Sequence, residues 1–140
     1  MKSLRTLLKL AARDLETLRR EMAVMIERQR TIEDRIAGHD QIIAREQALA
    51  QQNYESARMF GGFAAAALTR RRAMESERDI VGAEIERIRE LITAAHVETS
   101  KFERLLELEE AREKVRVEKR ENAELDEFAT MRAARQQRDA

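Results

Sequence analysis

The chain has 140 residues, of which 39% are charged and 4% aromatic, and it contains no cysteine, proline or tryptophan. The lack of cysteine excludes disulfide and thiolate chemistry, and a composition this rich in charge is typical of long helices or coiled coils rather than of a compact globule. The 27 basic and 27 acidic residues balance, so the broad positive field of a nucleic-acid-binding protein is not expected and no nucleic-acid partner is predicted.

The amino-terminal segment is rich in leucine, but charged residues interrupt its apolar run. Arg5, Lys9, Arg13 and Asp14 all fall within it. A signal peptide or a membrane span requires an uninterrupted apolar stretch. The segment therefore favours a cytoplasmic protein.

A first heptad repeat runs from Leu4 to Phe60. Of its seventeen core positions, thirteen are apolar. A 3-4 spacing sustained over so many heptads exceeds the single amphipathic helix of a globular domain and is typical of a coiled-coil strand. It predicts a first helix over about residues 3–59.

A second heptad repeat runs from Met74 to Leu106, with eight of its ten core positions apolar. It predicts a second helix over about residues 65–136. Between the repeats lie Gly61 and Gly62, where a helix breaks at least cost, since each glycine costs about 1 kcal/mol relative to alanine. We therefore predict a tip at residues 60–64 and an all-α fold, an antiparallel two-helix coiled-coil hairpin that forms a single elongated unit over residues 1–140.

A reversal at the two glycines also predicts which residues face each other. The numbers of facing residues should sum to about 124, and the two separately assigned repeats agree with this. Polar residues in the core would then form opposite-charge or polar layers that fix the register. The predicted pairs are Ile32 with Ile92, Ile36 with Ile88, Ile43 with Val81, Glu46 with Arg78, Asn53 with Arg71 and His39 with Ile85.

The sequence contains none of the patterns from which an active site is assembled. It has no glycine-rich phosphate loop, no Ser/His/Asp constellation and no metal-ligand spacing, and His39 and His96 are predicted to lie far apart. The carboxylates sit among arginines, as on a solvated helical face. We predict no enzymatic activity, no catalytic residue, no cofactor and no metal.

The carboxyl-terminal part of the second helix is less regular than the rest. Beyond Leu106 the repeat places Glu109 and Glu113 at core positions, which predicts that the core ends there. An alternative apolar frame passes through Leu108, Ala111, Val115, Leu125 and Ala129. Two interpretations remain: an exposed apolar stripe for a partner, or a frayed base. In either case residues 124–140 would extend past the amino terminus as a C-terminal single-helix extension.

The segment ELDEFATMRAARQ (residues 124–136), the hairpin plan, the length and the glycine-bearing tip together resemble the FliJ family, a component of the flagellar type III export apparatus. The resemblance implies a non-enzymatic stalk that inserts into the hexameric export ATPase FliI and contacts the export gate protein FlhA. Export chaperones are further implied partners. It also implies a monomer that lies at the cytoplasmic face of the inner-membrane export apparatus and reaches the membrane only through its partners.

Two contact surfaces follow from the resemblance. The paired termini would enter the ATPase ring, and the half of the hairpin near the tip would contact the gate. The implied ATPase contacts are Leu4, Leu7, Leu8, Leu125, Asp126 and Phe128, and the implied gate contacts are Tyr54, Leu68 and Met74.

Two other functions remain open at this point. One is a coiled-coil scaffold or adaptor that self-associates and is unrelated to any ATPase. The other is a general export chaperone without ATPase coupling. Injectisome stalk proteins share the hairpin plan, and the LDEFA segment (residues 125–129) favours the flagellar system.

Overall fold

The computed structural model describes residues 2–139, and these form two helices. Helix α1 spans Lys2–Gln52 and helix α2 spans Tyr54–Asp139. The described residues contain no strand. The two helices pack against each other as an antiparallel hairpin, so the predicted all-α fold is confirmed. Met1 and Ala140, the ends of the predicted unit, lie outside the described residues, and the single elongated unit stays a prediction.

The chain reverses at Asn53, between the two helices. The amide of Asn53 donates the last hydrogen bond of α1 to the carbonyl of Leu49 (3.1 Å), and its own carbonyl accepts from the amide of Ala57 (3.0 Å). The Asn53 side-chain oxygen accepts from the amide of Glu55 at 3.0 Å. Asparagine favours this N-cap position because its oxygen satisfies an amide that the first helical turn leaves without a partner.

The predicted tip at residues 60–64 is therefore wrong, because Gly61 and Gly62 lie inside α2. Neither glycine has a positive φ angle. The alanines at residues 64–67 that follow are the best helix formers. The rings of Phe60 and Phe63 lie 6.2 Å apart on the same helix.

The contacts fall into two groups, and the first comprises Asp14–Ala95. Its core is a cluster of Ile32, Ile36, Val81 and Ile85, against which Met74 packs. Ile32 and Ile88 are the largest fully buried side chains. The predicted core faces of both helices are thus correct within this group.

The register of the hairpin differs from the predicted one by two heptads. Gln29 lies beside Gly82 and Asp40 beside Arg71, so the numbers of facing residues sum to 111 rather than to about 124. Because core positions recur every seven residues, a shift of about 14 residues leaves the core faces unchanged and replaces every partner. The predicted pairs of Ile32 with Ile92, Ile36 with Ile88, Ile43 with Val81, Glu46 with Arg78, Asn53 with Arg71 and His39 with Ile85 are therefore wrong.

The second group of contacts comprises the described parts of residues 1–13 and 96–140. Thr99 is buried there, and Arg5 lies 3.5 Å from Glu110. Glu109 and Glu113 are half-buried and pair with Arg112 and Arg116 on their own helix, so the prediction that the core ends at Leu106 stays a prediction. The side chains of the alternative apolar frame are exposed, namely Leu108, Ala111, Val115, Leu125 and Ala129.

We expect that replacing both Gly61 and Gly62 with alanine stabilises the protein. No atom lies within 4 Å of a Cβ built at either position, and alanine favours a helix interior by about 0.5 to 1 kcal/mol per residue. Thermal and urea unfolding followed by circular dichroism should show a gain of roughly 1 to 2 kcal/mol. The control Asn53→Ala should instead lose about 1 kcal/mol through loss of the cap. A turn located at the glycines would reverse the sign of the first result.

Candidate functional site

Two neighbouring residues of α1 hold α2 through polar contacts. The Asp40 carboxylate accepts two hydrogen bonds from the Arg71 guanidinium, at 2.8 and 3.1 Å. The His39 Nε2 atom lies 2.9 Å from the carbonyl oxygen of Ala67, and because a carbonyl only accepts, Nε2 donates. We call these four residues the clasp. The two parallel hydrogen bonds between Asp40 and Arg71 require a defined geometry, so they fix the alignment of the two helices more precisely than apolar contacts do.

Asp40 and Arg71 form a charged pair within the clasp. The hydrogen bonds from Arg71 lower the pKa of the Asp40 carboxyl below its ordinary value of 3.8, and the positive charges of Arg71 and His39 act in the same direction. The same hydrogen bonds raise the pKa of Arg71. Arg71 also contacts Glu75 on its own helix. The Arg71 guanidinium therefore contacts one carboxylate on α1 and one on α2.

An open groove of about 700 Å³ lies beside the clasp and is partly lined by His39. Apolar and basic side chains both line it. Glu77, its acidic residue, is paired with Arg28 (3.6 Å) and Arg35 (3.8 Å), so the groove presents net positive charge. We call it the arginine groove, and its principal lining residues are Arg35, Ile42, Arg45, Arg70, Met74 and Glu77.

The predicted gate contacts have different surroundings. Tyr54 is the first residue of α2 and is 82% exposed, and Leu68 is 48% exposed. They are 14 residues, or nearly four turns, apart and so lie on similar faces of α2, about 21 Å apart along it. Met74 packs against the core and lines the arginine groove. The structure thus places Met74 in a different environment from the two exposed residues.

The predicted ATPase contacts all belong to the second group of contacts. Leu4 and Leu8 are half-buried and Leu7 is exposed on α1. Glu110, which pairs with Arg5, marks the part of α2 that α1 covers. Leu125 follows Glu110 by 15 residues, which corresponds to about 22 Å of helix. The structure therefore does not bring Leu125, Asp126 and Phe128 into contact with the amino-terminal leucines.

The described residues after Val117 are helical and exposed. Phe128 and Met131 continue the face of Val117 at helical spacing, and they form the apolar part of a shallow hollow of about 280 Å³. Arg132 and Arg135 complete the hollow. The sequence interpretation missed these two arginines, although their 3-4 spacing from Phe128 and Met131 was a signal for a shared face.

Residues 2–139 contain no cluster of His, Cys, Asp or Glu side chains that could hold a metal ion. Over the same range, neither helix contains a segment long and apolar enough to span a membrane.

Two long helices packed through a heptad core, with exposed apolar side chains along α2, place the chain among the two-helix coiled-coil proteins. The family model described as flagellar FliJ protein matches residues 1–138, and the chain belongs to this family. No curated protein and no solved structure shows significant similarity to the chain. The family is a non-catalytic component of flagellar type III protein export, which gives this chain an export-related role.

We expect Asp40→Asn to weaken the clasp and lower the melting temperature by a few degrees at neutral pH. The folded-state pKa of Asp40 lies below 3.8, so the stabilisation by its charge is present above that value and is lost as the pH falls through the folded-state pKa. The difference between the native chain and the variant should therefore vanish on acidification. Asp79→Asn is the control, because Asp79 pairs with its neighbour Arg78 on the same helix. An equal effect of both substitutions would contradict a role of Asp40 in joining the helices.

Proposed function

We propose that this chain is a non-enzymatic stalk of the flagellar export apparatus, located at the cytoplasmic face of the inner membrane. Its terminal segments insert into the hexameric export ATPase FliI, and residues near the turn bind the export gate protein FlhA. The exposed face of α2 around Phe128 is the observation that carries the proposal. Export chaperones are further partners, and the free chain is a monomer.

The ATPase contact is supported by the carboxyl-terminal part of α2. Residues 118–139 are helical, and each of them is exposed. Most helical stability in proteins comes from packing of an apolar face, so docking against another protein would stabilise this segment. Leu125 is 65% and Phe128 68% exposed, and full burial of such a side chain contributes about 1.5 to 3 kcal/mol. A concave protein surface, such as the inside of an ATPase ring, would supply that burial.

The gate contact is supported by the surfaces near the clasp. The arginine groove combines apolar lining residues, which include Met74, with the basic side chains of three arginines. Tyr54 and Leu68 add exposed apolar area on α2. Aromatic residues and arginine are the types that contribute most to binding at protein interfaces.

Truncation of the Leu125 and Phe128 side chains should weaken the ATPase contact. We expect the double variant Leu125→Ala with Phe128→Ala to lower the affinity for the ATPase by at least about tenfold, because two apolar contacts are lost. The measurement is light scattering of the protein mixed with the export ATPase and nucleotide. The control is Val24→Ala, which truncates an apolar side chain of similar exposure (64%).

A chain ending at Glu124 should behave as the double variant does. It should remain a monomer and fail to promote ATPase hexamers. A stable dimer of the full chain that ignores the ATPase would exclude the stalk and favour the scaffold.

Substitutions near the turn should affect the gate contact alone. We expect Tyr54→Ala with Leu68→Ala to lower the affinity for the cytoplasmic part of the gate protein by about tenfold, since both side chains are exposed and apolar. Isothermal titration calorimetry measures this affinity. Ile80→Ala is the control, because Ile80 is also exposed and apolar. Equal losses in the double variant and the control would contradict the assignment of this surface.

A further inference from the structure

The two adjacent glycines of α2 have no role in the present packing. Gly61 and Gly62 are helical, and no atom lies within 4 Å of a Cβ position at either one. Glycine is nonetheless the residue at which a helix reverses at least cost. The chain therefore has two positions at which it can reverse, Asn53 and the glycine pair.

The two turns correspond to two registers of the same apolar core. Moving the turn from Asn53 to the glycines shifts each partner on α2 by about 14 residues, so core positions again face core positions. Ile36, which now belongs to a cluster with Val81 and Ile85, would face Ile88. Isoleucine is buried in both cases, and the hydrophobic effect is non-directional. It therefore discriminates poorly between the two registers.

Polar contacts between the helices determine which of the two registers forms. The hydrogen bonds of Asp40 with Arg71 and of His39 with the Ala67 carbonyl exist only in the present register. A shift of two heptads would place Ile85 instead of Arg71 opposite Asp40, which would leave the carboxylate beside an apolar side chain and without its cationic partner. The clasp therefore selects the turn at Asn53.

We propose that the clasp is the lock of a hairpin with two registers, and that its opening lets α1 and α2 slide by two heptads while the turn moves from Asn53 to Gly61 and Gly62. The slide displaces facing residues by about 21 Å along the helix. A new pair of opposite charges, Glu46 with Arg78, becomes available in the shifted register. Because His39 belongs to both the clasp and the arginine groove, a protein that occupies the groove acts directly on the lock.

The slide changes the surface of the terminal segments. Arg5 now pairs with Glu110, and a shift of two heptads would bring it near Glu124. The amino-terminal leucines would then cover α2 closer to Leu125 and Phe128. This inference rests on the proposed function for its biological meaning: occupation of the groove by the gate protein would alter the surface offered to the ATPase.

The absence of cysteine from the sequence makes the register measurable by thiol cross-linking. Arg35→Cys with Glu77→Cys reports the present register, in which these side chains form an ion pair at 3.8 Å. Arg35→Cys with Leu91→Cys reports the shifted register, since residue 91 follows residue 77 by two heptads. Arg35→Cys with Glu84→Cys, one heptad away, gives the background.

In the otherwise native chain we expect the first reporter to cross-link predominantly. Asp40→Ala with Arg71→Ala should open the clasp and raise cross-linking of the second reporter about tenfold over background, in proportion to the population shift. Further substitution of Gly61 and Gly62 by alanine should abolish that increase, because the second turn is then lost. Circular dichroism confirms that each variant remains helical.

Two results would overturn the proposal: cross-linking of the first reporter alone in a helical clasp variant, or cross-linking of the second reporter that survives replacement of both glycines. If the clasp variant loses its helical content, Asn53→Ala replaces it with the same expectation, because it removes the cap on which the present turn depends. All measurements use the isolated full-length chain. Failure of the register change is therefore distinguishable from failure of ATPase or gate binding.

Discussion

Burial of the isoleucine-rich face of α1 against the matching face of α2 is the interaction on which the rest of the fold depends. Ile32, Ile36, Val81 and Ile85 form the central cluster, and each is at most 7% exposed. Complete burial of such side chains contributes about 1.5 to 3 kcal/mol each. In a protein with 39% charged residues, few other apolar contacts are available. The positions of the clasp and of the arginine groove follow from how these two faces meet.

The core faces were predictable from the sequence, and the register was not. A heptad repeat determines which side of a helix is buried, because the period of the apolar residues matches that of the helix. The repeat does not determine which core residue of α1 faces which core residue of α2, because a register offset by two heptads satisfies the same repeat. The prediction consequently identified Ile32 and Ile88 as core residues and assigned the wrong partner to each. The clasp that resolves the ambiguity consists of residues from both helices that no local pattern connects.

The turn was mispredicted because two local effects of similar size compete. Two glycines weaken a helix by about 1 kcal/mol each, and one asparagine cap stabilises the start of a helix by about the same amount. In this chain the cap at Asn53 coincides with the register that the clasp favours. The surroundings of the predicted gate contacts depend on the turn and the register: Tyr54 lies at the turn, and the arginine groove around Met74 could not be anticipated without the register. The exposure of Leu125 and Phe128 does not depend on the register, because they lie in a part of α2 that α1 does not cover.

The distribution of ion pairs shows that charge stabilises each helix largely independently of the other. Most of the pairs join residues three or four apart on one helix, as Glu84 with Arg87 and Glu113 with Arg116 do. Such pairs stabilise a helix by roughly 0.2–0.5 kcal/mol each, independently of what packs against it. Among residues 2–139, pairs that join α1 to α2 are fewer, and of these Asp40 with Arg71 has the shortest distance, 2.8 Å. Charge therefore maintains the helices individually, while a small number of polar contacts align them. In a protein of this design, realignment requires loss of a few contacts between the helices and leaves most of the stabilising contacts within each helix intact.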